Sequence, residues 1–289
     1  MGTCALCKID RPLKESHIIP KFVFDRIKPN SPTGYLRGGF LDVNRRMQDG
    51  DRVKMLCNDC EQRFSQTERN FADKVFKPYH ESGITSFAYG PWLSYFINSV
   101  NWRTLRLDNI GFRSQKKWSH ETLSVLNNAE TILADFLLGK RPDIGDMENH
   151  ILPMFEITHG SSQLEEPNFW FRVTAFGYTF FDLAVDGYYV YANLSGVLIF
   201  TIIRKGKKDI WNNTLVQLND GSIKQPPIRI SSPLMFHMIN HLTQCSKVQI
   251  SQAQKDKIIE SLKAKPKAAQ SKAWQIRKLD EKVRDDTVG

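Results

Sequence analysis

The chain has 289 residues, 41% of them hydrophobic and 11% aromatic, enough for one large domain or two to three small ones with a sizeable core. Lys and Arg outnumber Asp and Glu by 40 to 31, a net charge of +9 that suits nucleic acid without requiring it. An odd count of 5 cysteines argues against a secreted disulfide scaffold, and no apolar run reaches membrane-spanning length; a cytoplasmic protein with no membrane partner is expected.

Taken in order, residues 1–80 read as a compact module. It holds two Cys-x-x-Cys knuckles, Cys4–Cys7 and Cys57–Cys60, around a stretch from Leu13 to Pro20 that suits a short strand. Lys21 to Ile27 suits a turn or two of helix. Pro29, Ser31, Pro32, Gly34, Gly38-Gly39 and Asp49-Gly50 punctuate a loop made basic by Arg37, Arg45, Arg46 and Arg52, the candidate nucleic-acid-binding residues. Val53 to Leu56 reads as a second strand, and Asn58 to about Tyr79 as a helix stopped by Pro78.

Residues 84–165 carry helical spacing, with Ser119 placed to cap a second helix and Gly139 to end it. Residues 166–250 turn aromatic and β-branched. Phe169–Val173, Tyr178–Val185, Tyr188–Leu194 and Val197–Ile203 read as an antiparallel meander; Asp186-Gly187, Ser195-Gly196 and Asn219-Asp220-Gly221 are its turns, and Leu234–Leu242 begins a return to helix. Residues 251–289 are Lys-rich, contain Pro266 and read as a frayed helix or a disordered tail. The fold class expected is α+β: an N-terminal zinc module, a helical middle and an antiparallel β-rich region.

Two knuckles in one module are a metal signal. Each turn aims two sulfurs at one point, and Cys4, Cys7, Cys57 and Cys60 together supply the tetrahedral thiolate set that zinc prefers. Free thiols or disulfides are the competing reading; Cys245 stands apart. Four thiolates leave no open coordination position, so this Zn²⁺ would be structural.

Cys4-x-x-Cys7, then Ser16-His17-Ile18-Ile19-Pro20, then Leu56-Cys57-x-x-Cys60 resembles the zinc-containing HNH nucleases, the ββα-metal or His-Me finger group. The likeness covers about the first quarter of the chain. It implies an endonuclease in which His17 is the general base that deprotonates water, while side chains of the strand and the helix hold one divalent ion against the scissile phosphate. Ser16 stands where the family carries its metal-binding Asp or His, which is a departure, and Glu15 would face the other side of the strand. Glu61 takes the place of a family His or Asn. With Glu68 seven positions on, it offers carboxylates for Mg²⁺ or Mn²⁺. Asn44 and Asn58 both suit the orienting Asn of the family, and the sequence does not separate them.

Bland readings stand beside each of these. His17 suits a buried imidazole bonded to backbone, Glu61 and Glu68 suit solvated helix charges, and the arginine loop suits an ordinary basic surface. His237 and His241 share a helix face with no third ligand near them, which favours packing over a metal site. The resulting expectation is a metal-dependent endonuclease, in a bacterial defence or mobile-element setting, acting on nucleic acid with DNA favoured. The alternative is a non-catalytic module that binds nucleic acid, scaffolds a protein partner or forms homo-oligomers, and Ser16 is the feature that favours it.

Overall fold

A computed structural model describes residues 1–38, 43–158, 163–224, 228–264 and 270–288. Gly39 of the basic loop and Pro266 of the tail lie outside the described residues. The first module holds β1 (Gly2–Thr3), β2 (Asp10–Arg11), β3 (Leu13–His17), α1 (Lys21–Asn30), β4 (Leu36–Arg37), β5 (Arg46–Met47), β6 (Arg52–Cys57) and α2 (Asn58–Phe71). β3 pairs antiparallel with β6, Leu13 opposite Cys57 and His17 opposite Arg52, with a bulge between Lys14 and Glu15. Pro78 does not stop the helix. A π-helical turn, Ala72–Phe76, resets the hydrogen-bond register, and Pro78 then falls in the first turn of α3 (Lys77–Ser82), where its missing N–H costs nothing; Gly83 at φ +67° ends the run.

After β7 (Phe87–Tyr89) come α4 (Trp92–Gln115) and α5 (His120–Leu137). Ser119 caps α5 through the Thr122 N–H at 3.1 Å, and Gly139 at φ +74° closes it, as its sequence predicts. The region expected to be helical also holds a strand, β8 (Glu148–Pro153). The Phe169–Val173 segment is not a strand. Pro167 opens α6 (Pro167–Arg172) instead, and Asp280 accepts the N–H groups of Asn168 and Phe169 at its start.

β9 (Ala175–Asp182), β10 (Gly187–Leu194) and β11 (Val197–Arg204) form the expected meander. Ser195 and Gly196 both have positive φ, as a two-residue hairpin turn requires. Asp186-Gly187 is no such turn: Leu183 to Asp186 form a longer loop with Asp186 alone at positive φ. β12 (Ile210–Asn212), β13 (Leu215–Val216), β14 (Gly221–Ile223), β15 (Arg229–Ser231), α7 (Pro233–Lys247), α8 (Gln252–Lys263) and α9 (Lys272–Val288) complete the chain. Asn219-Asp220-Gly221 does not make a local hairpin, because β14 pairs with the distant β7. Among the described residues of the tail, α8 and α9 are helical, and α9 buries Ala273, Asp280 and Val283.

The main sheet has the order β13-β8-β11-β10-β9. β10 is buried along its whole length, so both faces of the sheet are covered. Tyr189, Tyr191, Leu198 and Phe200 pack with Leu234, Met238 and Leu242 of α7. Tyr188 and Val190 pack towards the knuckles, α4 and α5, while Ala192, Leu194 and Ile199 join Phe71, Phe96 and Val100. These clusters run across the sequence boundaries at 80 and 166. A polar seam fixes α4 on the sheet: Asn101 donates to Thr201 at 2.8 Å, Thr201 to Asn149 at 2.9 Å, and Asn149 to Ser94 at 3.0 Å. Gly177 of β9 lets α4 come close, since a Cβ there would lie 2.8 Å from Thr104 Oγ1. No helix of the described residues is long and apolar enough to cross a membrane.

Candidate metal centre and the neighbouring polar site

The first knuckle is the turn between β1 and β2. Cys4 N–H donates to Ile9 O at 3.0 Å and Lys8 N–H to Cys4 O at 2.9 Å, with Lys8 at φ +62°. Ala5 N–H donates to Met55 O at 2.9 Å, which pins the turn to β6. Cys57 ends β6 and Cys60 lies in the first turn of α2. All four sulfurs lie within 4.8 Å of one another, and Cys7 Sγ is 3.9 Å from Cys57 Sγ. A tetrahedral zinc with bonds of about 2.3 Å would hold its sulfurs roughly 3.8 Å apart, so the donor set and its spacing fit that ion.

The surroundings suit thiolates unequally. Burial pushes the Cys4 thiol up, but N–H groups of Cys57, Cys7 and Leu6 outweigh it and bring it down to about 7; the Cys57 N–H lies 3.3 Å from Cys4 Sγ. Burial and the neighbouring sulfurs push the Cys60 thiol well up. Leu6, Leu56 and Phe64 enclose the cluster and join it to Trp102 and Leu126.

Beside the knuckles, β3 and α2 meet side on. Ser16, fully buried, donates its hydroxyl hydrogen to Glu61 Oε1. His17, next on the strand, points elsewhere. Its Nε2 lies 3.3 Å from Asp49 Oδ2, an ion-pair distance without hydrogen-bond alignment, and both side chains are about a fifth exposed, at 18% and 19%. Arg52 also reaches Asp49, at 3.5 Å, and Glu15, at 3.4 Å. The His17 carbonyl accepts from Arg103 Nη1 at 2.8 Å, and Arg103 Nη2 is 2.7 Å from Glu68 Oε1. Glu68 is therefore an ion-pair partner of Arg103, two turns along α2 from Glu61. Among the described residues, the four cysteines are the one group of three or more His, Cys, Asp or Glu whose ligand atoms converge.

Comparison with family models, curated proteins and solved structures finds no match.

The basic loop is largely occupied. Arg37 binds Val43 O and Gln254, Arg45 reaches Asp51 at 3.1 Å, and Arg52 serves Asp49 and Glu15. Arg46 is exposed and stacks on the Tyr35 ring at 4.1 Å. Asn44 accepts the Ser251 N–H at 2.9 Å, and Asn58 is an exposed residue at the start of α2. His237 stacks on Phe180 at 4.1 Å and His241 lies 3.6 Å from Cys245 Sγ; burial lowers both imidazoles. Sequence reading missed Asp49 and Arg103 as partners of His17. The Asp49-Gly50 pair reads only as a turn, and Arg103 comes from a helix whose pairing with β3 has no local signal.

Proposed function

We propose that the N-terminal module is a zinc-stapled unit that works on nucleic acid as a metal-dependent phosphodiester hydrolase of HNH type, with DNA the favoured substrate. The observation that carries this reading is the contact between Ser16 and Glu61 with His17 next on the strand. The strand and helix positions at which the resembling family holds its ion touch each other, and the base position is the next residue of the strand, its imidazole against Asp49. Zinc at Cys4, Cys7, Cys57 and Cys60 fixes the strand against the helix. Neutral His17 takes the proton of the attacking water, and Asp49 stabilises the imidazolium that results. Glu61 would hold Mg²⁺ or Mn²⁺, which when bound supplies Lewis-acid stabilisation of the leaving oxygen.

A second reading has its own observation. Glu68 is held by Arg103 and Ser16 is spent on Glu61, so one carboxylate is left for an ion. A module that binds nucleic acid without cutting it fits that count. Cleavage of plasmid DNA and of single-stranded RNA with Mg²⁺ or Mn²⁺ separates the two, using wild type, His17→Ala and Glu61→Ala with zinc content measured in each. Cleavage lost in both variants with zinc retained supports the nuclease. No cleavage by any form, with nucleic acid still bound, leaves the binding module, and cleavage unchanged in His17→Ala removes His17 from the chemistry.

A further inference from the structure

A second polar site lies away from the zinc module's hairpin, where four helices meet. Arg26 of α1, His80 of α3, Arg172 of α6 and Lys272 of α9 line a cavity of about 220 Å³, with Ile276 and Leu279 of α9 on its wall. That volume falls below the roughly 300–1,000 Å³ of pockets for drug-sized ligands and suits a smaller one.

Its charge is one-sided. Among the described residues, none of the three cations has a carboxylate within ion-pair distance; Arg26 feels the exposed Glu81 only at longer range, and Arg172 contacts the Tyr79 hydroxyl. Burial lowers Arg26, which marks a guanidinium short of both water and counter-charge. His80 Nε2 is buried with no hydrogen-bond partner, its ring held edge-on by Phe76 and Tyr79 at 4.4 and 4.8 Å. Burial, then Arg26, Arg172 and Lys272, bring that imidazole down to about 2, so it stays neutral and adds no charge of its own. A half-buried Arg26 without a carboxylate partner and an orphaned ring nitrogen are unfavourable alone. With Arg172 and the exposed Lys272 on the same cavity, they become favourable around an anion that accepts from them. A dianionic phosphate matches that demand, and an apolar wall beside it receives an organic body.

We propose that this cavity binds a small phosphomonoester, its phosphate held by Arg26, Arg172 and Lys272 and its organic part against Ile276 and Leu279. The ligand bridges α1, α3, α6 and α9, so it tightens the C-terminal helix onto the rest of the protein. This site is independent of the nuclease reading and survives if that reading fails.

Calorimetric titration of the full chain with adenosine 5′-monophosphate, inorganic phosphate, adenosine and a 5′-phosphorylated deoxynucleotide decamer tests it. The expected result is saturable binding of the monophosphate with one site per chain, none of adenosine, and at least tenfold weaker binding in Arg26→Gln and in Lys272→Gln. Lys278→Gln removes the same charge from an exposed position of α9 outside the cavity lining and leaves affinity within twofold. The monophosphate also slows proteolytic cleavage within α9. Absence of binding at millimolar monophosphate, or equal binding by wild type and Lys272→Gln, overturns the site. Binding of the decamer but not of the monophosphate overturns the small-molecule assignment.

Discussion

Arg103 and Glu68 form a nearly enclosed ion pair, 2.7 Å long, in which the guanidinium is 2% exposed and also holds the His17 carbonyl. The pair joins α4, α2 and the end of β3. Glu68→Gln leaves a buried cation short of its counter-charge, and a loss of roughly 2–3 kcal/mol is expected, somewhat less than for a fully buried pair because Glu68 is 22% exposed. Guanidinium unfolding measures it. If Glu68→Gln instead removed Mn²⁺ binding at unchanged stability, Glu68 would be an ion ligand.

Cys60→Ser removes one of four converging thiolates from a buried site. Bound zinc is expected to fall from one equivalent to none, with a stability loss of about 4 kcal/mol or more, because a structural zinc site contributes directly to folding. Elemental analysis and thermal unfolding check both. Cys245→Ser, outside the cluster, keeps its zinc.

Asp108 of α4 accepts the Thr179 N–H at 2.6 Å, yet burial outweighs that bond and raises its carboxyl from 3.8 to about 6. The folded protein thus binds this proton more tightly than the unfolded chain does. The carboxyl's contribution is most favourable below pH 4 and is lost as pH rises through about 6. Asp108→Asn keeps an acceptor for Thr179 without the charge. It is expected to stabilise the protein at pH 7.5 by about 2 kcal/mol and to have little effect at pH 4. The difference between the two unfolding curves across that range decides it.

Asp280 is fully buried and accepts from Asn168 N–H, Asn168 Nδ2 and Phe169 N–H at 2.8 to 3.0 Å. Asp280→Ala orphans the first turn of α6, at a cost of roughly 2–3 kcal/mol. The loss should be local. Limited proteolysis within α9 is expected to accelerate at least tenfold, while zinc content stays the same.

What the sequence reveals follows from the range of each signal. The knuckles, the Ser119 cap, the Gly139 stop and the Ser195-Gly196 turn are local, and the structure keeps them all. Elements set by distant partners are harder to read. Phe169–Val173 has strand composition, but Asp280, more than a hundred residues later, caps it as helix. Gly221 follows a turn signal, yet its strand finds β7. The Lys-rich tail looks solvated because few of its side chains are apolar, yet a buried carboxylate, Asp280, together with Ala273 and Val283 anchors it. At the candidate site the sequence singles out His17, Glu61 and Glu68 as candidates, but not that Arg103 claims Glu68 or that Asp49 stands by the imidazole.

The position of β8 has a bearing on biosynthesis. It lies inside the sheet, between β11 and β13, although both of those strands are made after it. A growing chain therefore carries Ile151 and Leu152 in a strand with two open edges until more than forty further residues have emerged, and completing the sheet from both sides requires Val216. During that interval the nascent protein presents an apolar ladder to any other extended segment, which makes this stretch the natural point for chaperone engagement and the first place where truncated products would aggregate.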